Sequence, residues 1–548
     1  MKRLTLLVAG VLAFATSVSA QKVLGNGQVS GGLESSSIYY TPDKKIDRPE
    51  DHFGSNNYIK VDYSNGRFSA GVQMNAFLPA LVGYENLADG YKFYLASKYI
   101  QWRDDNYEFL VGDIFDQYGN GLIFRSFEDR QLGLNNSLEG VRAGYSFGRY
   151  VSLKGMYGRS RYNTQYSKTW VRGLDLSVSL AEIIKAPAIT FNIEGSYVNR
   201  YQSLNQAPDK LTEPDMSQIG QGRPLYEVYG IKPNLNMYSG RVNFGWNGLS
   251  VRGEYVNKGK DFNTKTDSMH KGWAALGEIG YNYKTFSVMG TFRALSHMRT
   301  RINMYDSSEV NVAVNNINYL PALTRQYTYM LANLNPYEVQ MDGEIGGQID
   351  LCYSLRSKSN RYRYWNFHAN FSTFYSLNRV PNFMLNTEKR ELFWRDINVD
   401  IERQWNKKWK TAILYSFQGN EVAECKAHIF VADVTHKFNR KTSLRFEVQY
   451  LLSGDDKSEW DGIHSEGDWV AALVEFNLAP HWSFYMQDMY NIGQSKTHYY
   501  NGGLSYTYNR TRVQLSYGRN RAGYICSGGV CRYSPAYTGV NLVLTSSF

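Results

Sequence analysis

Residues 118–133, YGNGLIFRSFEDRQLG, put two glycines one residue apart and then crowd Arg125, Glu128, Asp129 and Arg130 into a short run. Arg142 follows on the next apolar-alternating stretch. Three chemistries use residues of these types at this spacing. A glycine-rich turn can cradle a phosphate, but that needs a strand, turn and helix of a βαβ unit. No such unit surrounds these residues, which removes the nucleotide reading. A charged cluster can serve acid–base catalysis. The nine histidines are dispersed, however, and no HExxH run occurs, so no catalytic set is assigned and the chain is read as a non-enzyme. Third, opposed arginines and carboxylates across a pore create a transverse field and a size limit. Arg125, Glu128, Asp129, Arg130 and Arg142 are therefore candidate lumen or constriction residues. The plainer alternative is an external loop pinned by its own salt bridges, and the choice depends on the elements that hold the stretch.

Two other stretches invite the same question. In NYLPALTRQYTYMLANLNPY, residues 318–337, Leu320, Leu323, Tyr327, Met330 and Leu331 recur at helical spacing. Pro321 suits a first turn and Pro336 follows the end, which predicts an amphipathic helix lying across a mouth, within a lumen or on an outer rim. Residues 453–469 gather Asp455, Asp456, Glu459, Asp461, Glu466 and Asp468. That oxygen density could hold Ca²⁺, but the spacing is not that of an EF-hand, and a solvated acidic loop is the preferred reading.

The first twenty residues say where these elements belong. Lys2 and Arg3 precede an apolar run from Leu4 to about Thr16, and Val18 and Ala20 sit at the −3 and −1 positions of a cleavage site. This predicts a secretory leader over 1–20 and a single domain over 21–548. Gln21 after the cut excludes a lipoprotein anchor. No apolar run reaches the ~18 residues of a membrane-spanning helix. Mean hydropathy is −0.46, yet aromatics make up 15%, with 44 Tyr and 48 Gly against 13 Pro. A transmembrane β-barrel has this profile, because every second residue of a spanning strand is polar.

The alternation is explicit. Leu444, Phe446, Val448, Tyr450 and Leu452 alternate with Arg445, Glu447 and Gln449. Val470, Ala472, Val474, Phe476 and Leu478 repeat the pattern, as do Phe286, Val288, Gly290 and Phe292. Tight turns fall near Asn65-Gly66, Asp104-Asp105-Asn106, Asn247-Gly248, Asn439-Arg440, Ala479-Pro480-His481 and Asn509-Arg510. Longer connections fall at 78–90, 115–136, 201–236, 296–337, 379–391, 454–467 and 521–536, all on one side. Short turns opposite long loops is the layout of an outer-membrane barrel. The count closes at about 24 strands, within a range of 22–26, from near Gly27 with both termini periplasmic. The fold expected is all-β, a single large antiparallel transmembrane barrel with some long loops folded into the lumen. No plug-sized domain precedes the first strand, which argues against a TonB-dependent receptor.

The last ten residues, GVNLVLTSSF, alternate Val540, Leu542, Leu544, Ser546 and end on Phe548. They resemble the C-terminal strand of bacterial outer-membrane proteins, which implies that Val540, Leu542, Leu544 and Phe548 form the signal read by the barrel-assembly machinery. Ser546 departs from that pattern. Cys526 and Cys531 bracket Ser-Gly-Gly-Val, a turn tight enough for a disulfide in an exported chain. Cys352 and Cys425 lie far apart and are expected free, and neither pair has zinc-ligand spacing. Net charge is +10, and +8 without Lys2 and Arg3. With no basic block or recognition-helix pattern, the charge points to an anion-tolerant lumen or lipopolysaccharide contact rather than nucleic acid.

Several stretches resemble an uncharacterised family of outer-membrane β-barrels from the Bacteroidota, a domain of unknown function. They are YGNGLIFRSFEDRQLGLNNSLEGV, INYLPALTRQYTY with the following NPY, GDWVAALVEF, DMYNIG with HYYN, and CSGGVCRYSPAYTGVNLVLTSSF. The resemblance implies location and fold, and carries no activity or functional residue. The leading expectation is an outer-membrane channel or transport barrel for polar or anionic solutes, without a cofactor. The rival is a structural, assembly or secretion-partner barrel working with another outer-membrane protein.

Overall fold

A computed structural model of the protein describes residues 27–84, 92–162, 164–204, 229–263, 268–305, 316–360, 362–382, 387–420, 425–453, 467–527 and 530–548. The expected leader at 1–20 and most of the acidic stretch, 454–466, lie outside them. Among the described residues no helix is long and apolar enough to cross a membrane. The crossing is made by strands.

Twenty-four of these form one closed antiparallel barrel. The first six are β1 (Gln28–Tyr40), β2 (Phe53–Asn65), β3 (Phe68–Phe77), β4 (Phe93–Arg103), β5 (Tyr107–Ile114) and β6 (Leu138–Phe147). Next come β7 (Val151–Tyr162), β8 (Gln165–Ser179), β9 (Ile189–Tyr201), β10 (Asn234–Trp246), β11 (Leu249–Asn263) and β12 (Ser268–Tyr283). Then follow β13 (Phe286–Ser296), β14 (Gly343–Arg356), β15 (Tyr364–Ser376), β16 (Leu392–Gln404), β17 (Trp409–Asn420) and β18 (Cys425–Lys437). The last are β19 (Thr442–Ser453), β20 (Trp469–Leu478), β21 (Trp482–Asn491), β22 (His498–Tyr508), β23 (Thr511–Asn520) and β24 (Tyr537–Ser547). Each strand pairs with its sequence neighbours, and β24 pairs back onto β1.

The alternation read from the sequence sets the two faces. On β19, Phe446 is 49% and Leu452 45% exposed, whereas Glu447 is 3% and Gln449 0%. The apolar set faces outward to lipid and the polar set inward, the reverse of a soluble sandwich. Trp102, Phe147, Trp246, Tyr283, Trp409, Trp482 and Tyr508 girdle the outer face at the short-turn end. The long connections all emerge at the other end, as the sequence pattern requires. One short-turn connection carries a four-residue helix, α1 (Leu180–Ile183), that the alternation did not announce.

The helix expected over 318–337 does not form. The segment is irregular apart from a 3-10 turn at Leu331–Asn333. A helix binds its own carbonyls and amides. Here the barrel wall binds them instead, with Gln449 Oε1 accepting from Leu331 N–H (2.9 Å) and Gln418 donating to Ala332 O (2.9 Å). The apolar spacing arose because successive residues reach different patches of a concave wall.

Closure is held at both ends of the β1–β24 seam. At the short-turn end, Gly31 and Phe548 exchange backbone bonds of 3.1 and 3.0 Å. A Cβ on Gly31 would stand 2.4 Å from the Phe548 ring and 2.5 Å from Lys60 O. The terminal aromatic thus covers a strand glycine. At the long-loop end, Asp43 in the β1–β2 connection accepts from Arg519 (2.7 and 2.8 Å) and Thr538 (2.7 Å).

Two expected outcomes follow from this seam. Gly31→Val should prevent β24 from docking and abolish the folded, heat-modifiable band on semi-native gels; normal amounts of that band would remove the role given to Gly31. For Asp43, burial raises the carboxyl pKa, but the bonds from Arg519, Lys45 N–H and Thr538 outweigh it and hold it at about 2 instead of 3.8. A depressed pKa contributes stability that is present above 3.8 and is lost as the pH falls towards 2. Asp43→Asn should therefore destabilise the barrel at neutral pH, by on the order of 1 kcal/mol, and the difference should vanish near pH 2. Urea titrations of both proteins across that range measure it.

Candidate functional site

The connection between β5 and β6, which contains YGNGLIFRSFEDRQLG, folds inward. Gly119 (φ +55°) and Gly121 (φ +88°) make turns that other residues resist. A Cβ on Gly119 would lie 2.6 Å from Arg241 Cδ on the inner wall, so glycine also permits the approach. Asn120 then donates from its backbone (3.0 Å) and side chain (2.9 Å) to Glu254 of β11. Leu122, Ile123 and Phe124 are 0–1% exposed and pack against Val198, Met237, Val256 and Leu276 of β9 to β12. Those wall residues alternate with outward Tyr197, Tyr238 and Tyr255, so the loop occupies the lumen. Each buried side chain contributes about 1.5–3 kcal/mol relative to exposure in luminal water, enough to draw the loop inside.

The charged residues singled out in the sequence separate once placed. Arg125 is stacked between the Phe127 and Tyr319 rings, 4.1 and 4.0 Å from their centroids. Glu128 accepts from Gln73 of β3 at 2.6 Å, and Asp129 accepts from Leu132 N–H at 3.0 Å. Arg130 pairs with Glu34 of β1 at 2.7 Å and lies over Tyr58 of β2. Arg142 sits lower on β6, between Glu108 (3.3 Å) and Asp116 (3.4 Å). All five are engaged, three of them in fastening the loop across the lumen from β1–β3 to its partner segment.

That partner is the connection between β13 and β14. It pairs with the first loop through Arg125 N–H to Ile317 O (2.8 Å) and Tyr319 N–H to Gly121 O (2.9 Å). Asn318 bridges Leu122 O and Met298 O. Leu320 and Leu323 join the same core as the first loop, while Leu331, Ala332 and Leu334 pack on Leu414, Ile429, Val431 and Trp469 of β17 to β20. The segment thus runs along the inner wall, from Arg293 of β13, past β16, to Gln449 of β19. Between these contacts Arg325 reaches Asp400 and Asn398, and Tyr327 donates to Asp396 (2.7 and 2.9 Å). Burial, and then the Asp396 charge, raise the Tyr327 phenol pKa, so it stays a donor.

The return anchor is a buried pair that sequence reading missed. Arg293 of β13 and Glu344 of β14 are both 0% exposed, bonded at 2.5 and 3.0 Å. Arg293 also donates to Pro321 O, and Glu344 accepts from the Tyr337 hydroxyl and from Gln340 N–H (2.8 Å). Burial, and then the Glu344 charge, push the Tyr337 phenol pKa well up. The signal available was an arginine and a glutamate at inward positions of two adjacent strands, which in a barrel demands partners.

A third connection covers these two. Cys526 and Cys531 are disulfide-bonded within a short hairpin, and Val530 packs on Leu132 and Leu134. Arg532 donates to Gly83 O at 3.0 Å and lies over Tyr84. Cys352 is free. Asp468, at the described edge of the acidic stretch, accepts from Tyr450 (2.7 Å) and Ser453 N–H (2.9 Å).

Toward the short-turn end the wall is polar. Asp350, His368, Asn370, Asn398, Asp400 and Glu402 line β14 to β16, and Asp433, Arg445, Glu447 and Glu475 line β18 to β20. Arginines here sit among several carboxylates, Arg445 between Asp433 (2.9 Å) and Glu447 (2.5 Å), Arg241 between Asp175 (2.6 Å) and Glu194 (2.7 Å).

The model of a family described as "Family of unknown function (DUF6029)" matches residues 1–548. No curated protein matches the chain. Among solved structures, the P pilus usher (PapC) translocation pore is 7% identical with a TM-score of 0.44, covering 95% of this chain and 99% of that one. The copper transporter OprC is 10% identical with a TM-score of 0.40 over 95% and 80%. A BenF-like porin from Pseudomonas fluorescens Pf-5 is 9% identical with a TM-score of 0.37 over 78% and 98%. The barrel assignment itself stands on the chain's own strand register.

The Arg293–Glu344 anchor generates an expected outcome. Arg293→Met leaves Glu344 buried without its cation, which costs about 3–5 kcal/mol. The β13–β14 connection should then become susceptible to limited proteolysis in the folded barrel; a cleavage pattern identical to that of the unsubstituted protein would show that the pair does not hold the loop.

Proposed function

We propose, for a chain that belongs to the DUF6029 family of unknown function, an outer-membrane transport barrel whose lumen is held shut by its own loops. The observation that carries this is the join between two environments inside one wall. Toward the long-loop end the lumen holds an apolar, loop-filled core, and toward the short-turn end a wall of charged and amide side chains. A polar inner face supports a water-filled vestibule, and a barrel of this width leaves space that strand side chains alone do not fill. Long loops mark the outer face and short turns the periplasmic side.

In this reading Arg125, Glu128 and Arg130 act as fasteners of the closed state, Asp129 braces its own turn through Leu132 N–H, and Arg142 with Glu108 and Asp116 lines the way past it. The solutes assigned are polar. The anion preference expected from net charge is not carried over, because luminal arginines lie among carboxylates that outnumber them. The leader at 1–20, recognition of Val540, Leu542, Leu544 and Phe548 by the assembly machinery, lipopolysaccharide contact and a Bacteroidota source belong to the same proposal.

Planar-bilayer recording tests it. The intact barrel should conduct rarely, and a barrel in which residues 318–337 are replaced by a short Gly/Ser linker should give long-lived openings. A linker variant that folds and stays silent would turn the assignment toward a structural or assembly role, and recovery of a stable complex with a second outer-membrane protein in mild detergent would support that turn.

A further inference from the structure

Across three neighbouring strands, the register sets Cys352 of β14 opposite His368 of β15, and His368 opposite Asp400 of β16. Side chains directly opposite on one face stand within about 4.5–5.5 Å of each other. Asp350 adds a carboxylate two residues along β14. All four point into the lumen and none is fully buried: the side chains of Asp350, His368 and Asp400 are 27%, 19% and 23% exposed. Nothing in the closed-loop arrangement needs a thiol here.

Three kinds of metal-ligating atom meet here. His368 Nε2 lies 2.7 Å from Asp350 Oδ2, and Cys352 Sγ lies 3.5 Å from Asp350 Oδ1. The ligand atoms of Asp350, Cys352 and His368 are all within 4.8 Å of one another, the one such group among the described residues. Ligand atoms around one tetrahedral Zn²⁺ stand about 3–4 Å apart, so shifts of about 1 Å would close the set. The other ring nitrogen, Nδ1, lies 2.9 Å from Asp400 Oδ1. A metal-bound histidine is commonly oriented in this way, by a carboxylate on its far nitrogen. Asp400 is itself held by Arg325 from the luminal loop, and Asn370 donates to Asp350 at 2.9 Å. The orienting shell is therefore built as well as the ligands.

We infer that Asp350, Cys352 and His368 form a luminal binding site for a divalent transition metal of the Zn²⁺ class, with Asp400 as the residue that positions His368. One thiolate, one imidazole and one carboxylate select such borderline ions over Ca²⁺ or Mg²⁺, which prefer all-oxygen sets. Three protein ligands leave the fourth position open to the lumen. A metal takes Cys352 as the thiolate and His368 as the neutral imidazole, so affinity rises with pH. The site does not depend on transport: it would bind metal in a barrel that never conducts.

The test uses the purified, folded barrel in detergent with Cys425→Ser, so that Cys352 is the remaining free thiol. Co²⁺ should bind at one equivalent with a thiolate-to-cobalt charge-transfer band, be displaced by Zn²⁺, and protect Cys352 from maleimide. Cys352→Ser should lose the band. Asp400→Asn should keep it while weakening Co²⁺ binding about 10–100-fold, as loss of an orienting carboxylate does. Heat-modifiable mobility verifies that each variant is folded. The inference is overturned if the folded parent shows no saturable Co²⁺ binding, if Cys352→Ser keeps the band, or if folded His368→Gln binds as tightly as the parent.

Discussion

Every backbone amide and carbonyl in a bilayer must find a partner within the protein, and that requirement governs the rest of this molecule. A sheet meets it only by closing on itself, which makes the contact between the first and last strands the step on which the fold depends. Here that contact is reinforced at its two ends by unlike means. A terminal phenylalanine covers a glycine at the short-turn end, where the wall meets lipid. A carboxylate bound by a guanidinium and a hydroxyl ties the first long connection to the last strands at the other end. Lipid-side closure uses shape and apolar area, and water-side closure uses charge, as the dielectric of each region favours.

Closing twenty-four strands creates a second requirement. The lumen is too wide for wall side chains to fill, yet the long connections carry apolar residues that water repels. Both are met when two connections fold inward and pair with one another along Arg125, Ile317, Gly121 and Tyr319. The buried Arg293–Glu344 pair then shows why charge is used inside such a core. A buried ion pair adds little net stability over apolar residues of equal volume, but its geometry admits few arrangements. By binding Pro321 O, Tyr337 and Gln340 at once, it selects one path for the loop as it leaves and rejoins the wall.

The fold was legible from β19 alone in miniature, because Phe446 and Gln449 obey a rule of period two that the bilayer imposes on every strand. The candidate loop was legible only in part. Its glycines and charges marked residues 118–133 as unusual, and the loop does lie within the barrel. Their individual partners were not legible, since Gln73, Glu34 and Glu254 are brought near by strand register and not by sequence proximity. The helix expected at 318–337 failed for a related reason. Leu320 and Leu331 look like one face of a helix when the chain is read alone, but they belong to two separate patches of wall, one beside Arg293 of β13 and one at Gln449 of β19.

What the sequence by itself determined is the class of structure: an alternating, Tyr-rich chain with long and short connections in turn, a closing strand that ends on Phe548, and a tight disulfide at Cys526 and Cys531. These are local properties, set by the solvent each residue meets and by a few neighbouring positions. Only the tertiary structure decided which long connections turn inward, how Arg293 and Glu344 trap one of them, and that Cys352, His368 and Asp400 stand in a row. Those outcomes depend on contacts between residues far apart in the chain, and strand register fixes such contacts only once the barrel has closed.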